Sequence, residues 1–184
     1  MKRKILIILL TIPFLLGFRS IDFKGYFDPD FLDYKMESAI VCFGSATMVL
    51  EENFLKSFSK QNGIKSLKWK RCDEVFPPTR DWSLEARVNQ AKKYGYKSIL
   101  GIGIEFEAFG ASATFFTDTT ATSSALSSQS EYEITIFDIE TQKKAYVAKV
   151  GVQNRGTFYA GNAKSEAKAL AGRLIKEFKK SKIL

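Results

Sequence analysis

Residues 131–152 read EYEITIFDIETQKKAYVAKVGV, and this stretch decides the fold. Glu131–Ile139 and Lys144–Val152 each alternate between apolar and polar residues. A period of two marks strands that bury one face. The intervening Glu140-Thr141-Gln142-Lys143 is short enough to close a hairpin. Downstream, Ala163, Ala167, Leu170, Ala171, Leu174, Ile175 and Phe178 recur at helical spacing. They predict an amphipathic helix that lies on the sheet, with Leu170, Leu174 and Phe178 on its buried face. Lys176, Lys179, Lys180 and Lys182 gather near its C-terminal end, where the helix dipole favours cations.

Upstream of the hairpin the pattern changes to strands separated by helices. Glu37–Gly44 (ESAIVCFG) is a short apolar run of buried-strand length. Met48, Leu50, Phe54, Leu55 and Phe58 follow at helical spacing, with Gly63 as the expected C-terminal cap. Ser66–Arg71 alternates as a second strand, and Phe76-Pro77-Pro78-Thr79 is a rigid loop. Asp81 or Ser83 caps a helix whose buried stripe is Leu84, Val88, Ala91 and Tyr94, ended by Gly95. Lys97–Ala108 is the third strand. The order is therefore β-α-β-α-β-β-β-α. It predicts an α/β (α+β-like) fold with a mixed sheet of about five strands and three helices: parallel crossovers first, then an antiparallel meander.

Lys2-Arg3-Lys4 precedes Ile5–Phe18, a run broken only by Thr11, Pro13 and Gly17. A basic start followed by an apolar stretch shorter than the ~20 residues of a membrane span is the pattern of a secretory signal. The sequence thus divides into a signal peptide over 1–20 and a single domain over 21–184, with cleavage between Gly17 and Ile21 or an uncleaved signal that stays as an anchor. The domain opens with an extended leader over 21–35, and 110–130 is a Ser/Thr-rich loop. Export to the periplasm or beyond would place Cys42 and Cys72, the two cysteines of the chain, in an oxidising compartment. They form either a disulfide or two separate buried thiols.

Composition narrows the function. The 184 residues are 45% hydrophobic and 26% charged, the balance of one globular domain. The net charge is +8, and removing Lys2, Arg3, Lys4 and Arg19, which precede the first acid Asp22, leaves +4. So mild and dispersed a charge argues against nucleic acid as a partner. The chain has no histidine, the commonest general base and zinc ligand. Gly101-Ile102-Gly103 lacks the third glycine of a dinucleotide loop, because Phe106 stands in its place. Ser57-Phe58-Ser59-Lys60 fits S-x-x-K, but the companion motifs of the penicillin-interacting enzymes are missing. Glu105 with Glu107, and Glu131 with Glu133, are carboxylate pairs on a strand face. They could serve acid–base chemistry or a hard cation, and more simply form the wet side of a sheet. These residues define no catalytic, cofactor or metal site. The candidate partner-binding residues are Phe109, Phe115 and Phe116, set in or beside the Ser/Thr-rich loop.

Two passages resemble a broad group of small bacterial envelope proteins, many of them lipoproteins. The group includes activators of penicillin-binding proteins, the N-terminal domain of the Tol translocation protein and the periplasmic domain of the curli secretion channel. Ala91–Leu100 (AKKYGYKSIL) is similar to their helix-to-strand passage. Glu133–Lys143 (EITIFDIETQK) is similar to their D-x-x-T-G-x hairpin, with Gln142 where the group has glycine. The resemblance covers roughly 84–180, and no cysteine stands where these proteins are lipidated. It implies a non-enzymatic accessory domain that binds envelope proteins and needs no cofactor. Two alternatives remain: an oligomeric secretion or pore component that extends a hairpin over 105–138, and a small carboxylate hydrolase. Membrane contact would run through residues 1–20 or the 110–130 loop.

Overall fold

The computed structural model describes residues 18–44, 48–103, 127–155 and 163–184. Six strands form one mixed sheet: β1 Phe18–Phe27, β2 Ser38–Phe43, β3 Lys68–Arg71, β4 Ser98–Ile102, β5 Ser127–Asp138 and β6 Lys143–Arg155. Four helices accompany them: α1 Met48–Phe58, the single turn α2 Cys72–Val75, α3 Leu84–Lys93 and α4 Ala163–Lys180. The spatial order is β1-β6-β5-β4-β2-β3. β2 pairs in parallel with β3 and β4, whereas β4–β5, β5–β6 and β6–β1 are antiparallel. The mixed α/β class and the switch from parallel crossovers to a meander both agree with the sequence reading.

Each face of the sheet carries its own core. On one side α1 and α4 pack over Val41, Leu100, Ile134, Ile136, Ala148 and Val150. Phe54, Phe58, Leu170, Leu174 and Phe178 point into this layer and are fully buried. On the other side Ile40, Cys42, Ile99 and Phe137 meet Val75, Val88 and Ala91 from α2 and α3, closed by Phe76 and Trp82. The Pro-Pro loop is held there by Trp82, whose indole N–H donates to the carbonyl of Pro77 at 2.9 Å. Cys42 and Cys72 are joined by a disulfide that ties the central strand β2 to α2.

The stretch 21–35, expected as an extended leader, contains most of a strand. β1 runs antiparallel to β6 over its full length and makes the sheet six-stranded rather than five. Its inward series is Arg19, Ile21, Phe23 and Phe27, and its outward series is Ser20, Asp22, Lys24 and Tyr26. The apolar alternation is obscured because the inward row begins with a cation and includes Gly25. That glycine is required by packing. A Cβ at position 25 would lie 1.8 Å from the Tyr146 hydroxyl oxygen, so the Tyr146 ring occupies the place of a side chain. β1 also begins inside the span expected for the signal, at Phe18 rather than after Ser20.

Three smaller expectations are corrected. Gly63 is not a helix cap, since α1 stops at Phe58 and the chain then turns through 59–66. Tyr94 leaves the buried stripe of α3 and is 50% exposed, because the helix ends at Lys93 and Tyr96 takes the buried place instead. The last four residues of the Ser/Thr-rich segment, 127–130, belong to β5. Gly95 does end α3, with φ +68° and Tyr96 N–H donating to the Ala91 carbonyl at 3.0 Å. Ser83 caps the same helix through Ala86 N–H at 3.2 Å.

Candidate functional site

Two polar features stand out against these apolar layers, both at the end of the sheet where α4 begins. The first is a network. Glu166, in the first turn of α4, is 6% exposed. Its two carboxylate oxygens accept from the Tyr132 hydroxyl at 2.5 Å and the Asn154 amide at 2.8 Å. The Asn154 carbonyl oxygen accepts in turn from the Arg19 guanidinium, and Arg19 also donates to Ser165 Oγ at 2.8 Å. One buried carboxylate thereby draws β1, β5, β6 and α4 together. A carboxylate suits the first helical turn, where the peptide dipoles present partial positive charge. Burial pushes the Tyr132 hydroxyl well above its ordinary range, and the Glu166 carboxylate it donates to adds to the shift.

The second feature is a groove of about 460 Å³ between α1 and the start of α4. Lys56 and Lys60 line it from α1 and the turn that follows, and Lys164 and Lys168 line it from α4. Lys164 and Lys168 are spaced i, i+4 within α4 and so share one face of it, whereas Lys60 lies two residues past the end of α1. Asn53, Ser57, Gln61 and Ser165 complete the wall, and none of the described lining residues is acidic. Ser57 and Lys60, which the S-x-x-K match singled out, therefore meet in this groove. Their arrangement is not that of an activated nucleophile. Ser57 Oγ donates back to the Asn53 carbonyl at 2.8 Å, a bond that fixes the hydroxyl along the helix.

The other residues singled out from the sequence are dispersed. Phe109, Phe115, Phe116, Glu105 and Glu107 lie outside the described residues. Glu131 is exposed, and Glu133 lies opposite Lys149 in the ladder and accepts from Thr135 Oγ1 at 3.3 Å. Of the 105–138 span, 127–138 pair with β6 and only 134–138 also pair with β4, with Ile134 and Ile136 in the core, and 105–126 lie outside the described residues. Gly101 sits within β4 opposite Cys42, and Gly103 follows that strand with φ +68°. Among the described residues no cluster of histidine, cysteine, aspartate or glutamate could hold a metal ion. No described helix is long and apolar enough to cross a membrane.

Sequence reading missed the groove because its lysines come from segments about a hundred residues apart and look like the solvated faces of two helices. Only the packing of α1 against α4 brings them together. The i, i+4 lysine pairs were the available signal, and Lys56/Lys60 and Lys164/Lys168 show it in the sequence.

Fold and site together define a small mixed-sheet α/β domain with a cationic groove. The sequence matches no family model and no curated protein. Among solved structures it is similar to the PelC dodecamer from Paraburkholderia phytofirmans, at 10% identity and TM-score 0.48, over 85% of this chain and 95% of that one. A point variant of that PelC in another crystal form gives 10% identity and TM-score 0.46, over 86% and 96%. A Xanthomonas campestris protein of family-model DUF330 gives 9% identity and TM-score 0.41, over 85% and 93%.

Proposed function

We propose that this protein is an exported, non-enzymatic binding domain of the bacterial cell envelope. The observation that carries the reading is the Cys42–Cys72 disulfide. Disulfides persist in oxidising compartments and are rare in a reducing cytosol. The basic and apolar start, Lys2 to Phe18, supplies the route to such a compartment. The absence of histidine from the sequence and the lack of a described nucleophile–base pair support binding rather than catalysis.

Fusion of residues 1–35 to a reporter that works only after export tests the first part, and an inactive reporter overturns it. Alkylation and mass spectrometry of unreduced protein from the envelope fraction test the second, and two free thiols there would remove the main support.

A further inference from the structure

We infer that the groove between α1 and α4 is a binding site for a phosphate-bearing ligand. Four exposed lysines, Lys56, Lys60, Lys164 and Lys168, line one groove with no described carboxylate in its lining. None of the four makes an ion pair with a described residue. On α4 the arrangement also works against the fold. Lys164 and Lys168 are like charges at i, i+4 within that helix and repel each other. Lys164 stands in the first turn of α4, the end where the dipole disfavours cations. Glu166, the acid of that same segment, is turned away into its bonds with Tyr132 and Asn154. An anion in the groove would relieve both repulsions together.

The lining favours phosphate over carboxylate. Four lysines with no described acid among them hold more positive charge than one carboxylate can balance, and a phosphate group, with a charge of about −1.5 to −2 and several acceptor oxygens, suits them better. A cavity of about 460 Å³ has the size of a small-molecule site rather than of an extended polymer track. The same chemistry could come from a free phosphorylated solute or from a phospholipid headgroup. The groove goes beyond the export reading and does not depend on it, because it is tested on purified protein.

Calorimetric titration with inorganic pyrophosphate at low salt, and co-sedimentation with phosphatidylglycerol vesicles, are the two arms. Both are repeated with Lys60→Gln/Lys164→Gln and with Lys92→Gln/Lys93→Gln, an exposed pair on α3 far from the groove in sequence. Binding is expected in at least one arm. The groove pair should weaken it about 10- to 100-fold, the loss of two charge-assisted hydrogen bonds partly screened by water, while the α3 pair changes it less than about twofold. Circular dichroism should show both variants folded, since all four positions are exposed. Pyrophosphate binding, or its competition with vesicles, assigns a free phosphate. Binding to vesicles alone assigns the headgroup. Absence of binding in both arms, or equal weakening by both lysine pairs, overturns the site.

Discussion

Arg19 and Glu166 face each other across one asparagine: the guanidinium donates to the Asn154 carbonyl oxygen, and the Asn154 amide donates to the Glu166 carboxylate. The first strand is thus tethered to the last helix by a side-chain chain, half-buried at the positive Arg19 end and buried at the negative Glu166 end. Removing either end leaves the other desolvated. Glu166→Ala is expected to destabilise the domain by about 2–4 kcal/mol. Arg19→Ala should cost less than that alone, and the double variant less than the sum of the two. Chemical denaturation of the four proteins gives the coupling, and strictly additive effects would show that the ends do not communicate.

On the proposed export reading, the tether bears on where a signal peptidase would cut. Cleavage after Ser20 would discard Arg19, whereas cleavage after Gly17 keeps it. We expect the mature N-terminus of exported protein to lie at Phe18 or Arg19, or upstream of them. Intact-mass measurement on secreted or periplasmic material decides this, and a mature chain beginning at Ile21 would contradict it.

The disulfide encloses a loop with a sequence separation of 30 and is buried at Cys42. Restricting an unfolded loop of that size is worth about 3–4 kcal/mol. Cys42→Ala/Cys72→Ala should therefore fold but melt roughly 10 °C lower. A thermal scan with and without reductant should reproduce the difference in the parent protein and show none in the variant.

High pH should unfold the domain through its tyrosines. Burial pushes the Tyr34 and Tyr146 hydroxyls up to about 12, from an ordinary value of 10.0, and pushes Tyr132 higher still. Below pH 10 these groups are protonated in both states and stability is at its full value. Above pH 10 the unfolded chain releases protons that the folded one retains, so stability falls as pH rises through 10 to 12. Each tyrosine contributes up to about 1.4 kcal/mol per pH unit in that window. Tyr132→Phe should flatten part of the slope in urea titrations between pH 9 and 11.5, and an unchanged slope would show that Tyr132 ionises freely.

The hairpin turn offers a stabilising change. Gln142 holds φ +58°, a left-handed conformation that a side chain disfavours. Asp138 Oδ2 supports the turn by accepting from Thr141 N–H at 2.9 Å and Thr141 Oγ1 at 2.8 Å. Gln142→Gly should gain roughly 0.5–1 kcal/mol, net of the extra freedom glycine brings to the unfolded chain, and raise the melting temperature by about 1–4 °C. A lower melting temperature would mean that the glutamine side chain makes a contact worth more than the strain.

The central and C-terminal elements were legible because their patterns are clean. Glu131–Ile139, Lys144–Val152 and the Leu170–Leu174–Phe178 stripe each follow one period, and each element formed where that period placed it. β1 was not legible as a strand. It is an edge strand whose inward row holds Arg19 and Gly25, one for a buried network and one to make room for Tyr146. Such residues serve distant partners, and local pattern does not carry that information. The groove was illegible for the same reason, since Lys56 and Lys168 gain their shared meaning only when α1 and α4 touch.

The position of β1 has a temporal meaning. Among the described residues its ten positions pair only with β6, more than a hundred positions later, so the first described strand is the one whose ladder must wait longest. Contacts of such long range are slow to form, because the intervening chain must be ordered before they repay its entropy. A chain threaded through a membrane pore N-terminus first would present this strand to the far side with its partner still on the near side. It would remain pliable during passage, and the sheet could close only once nearly all of the polypeptide had emerged.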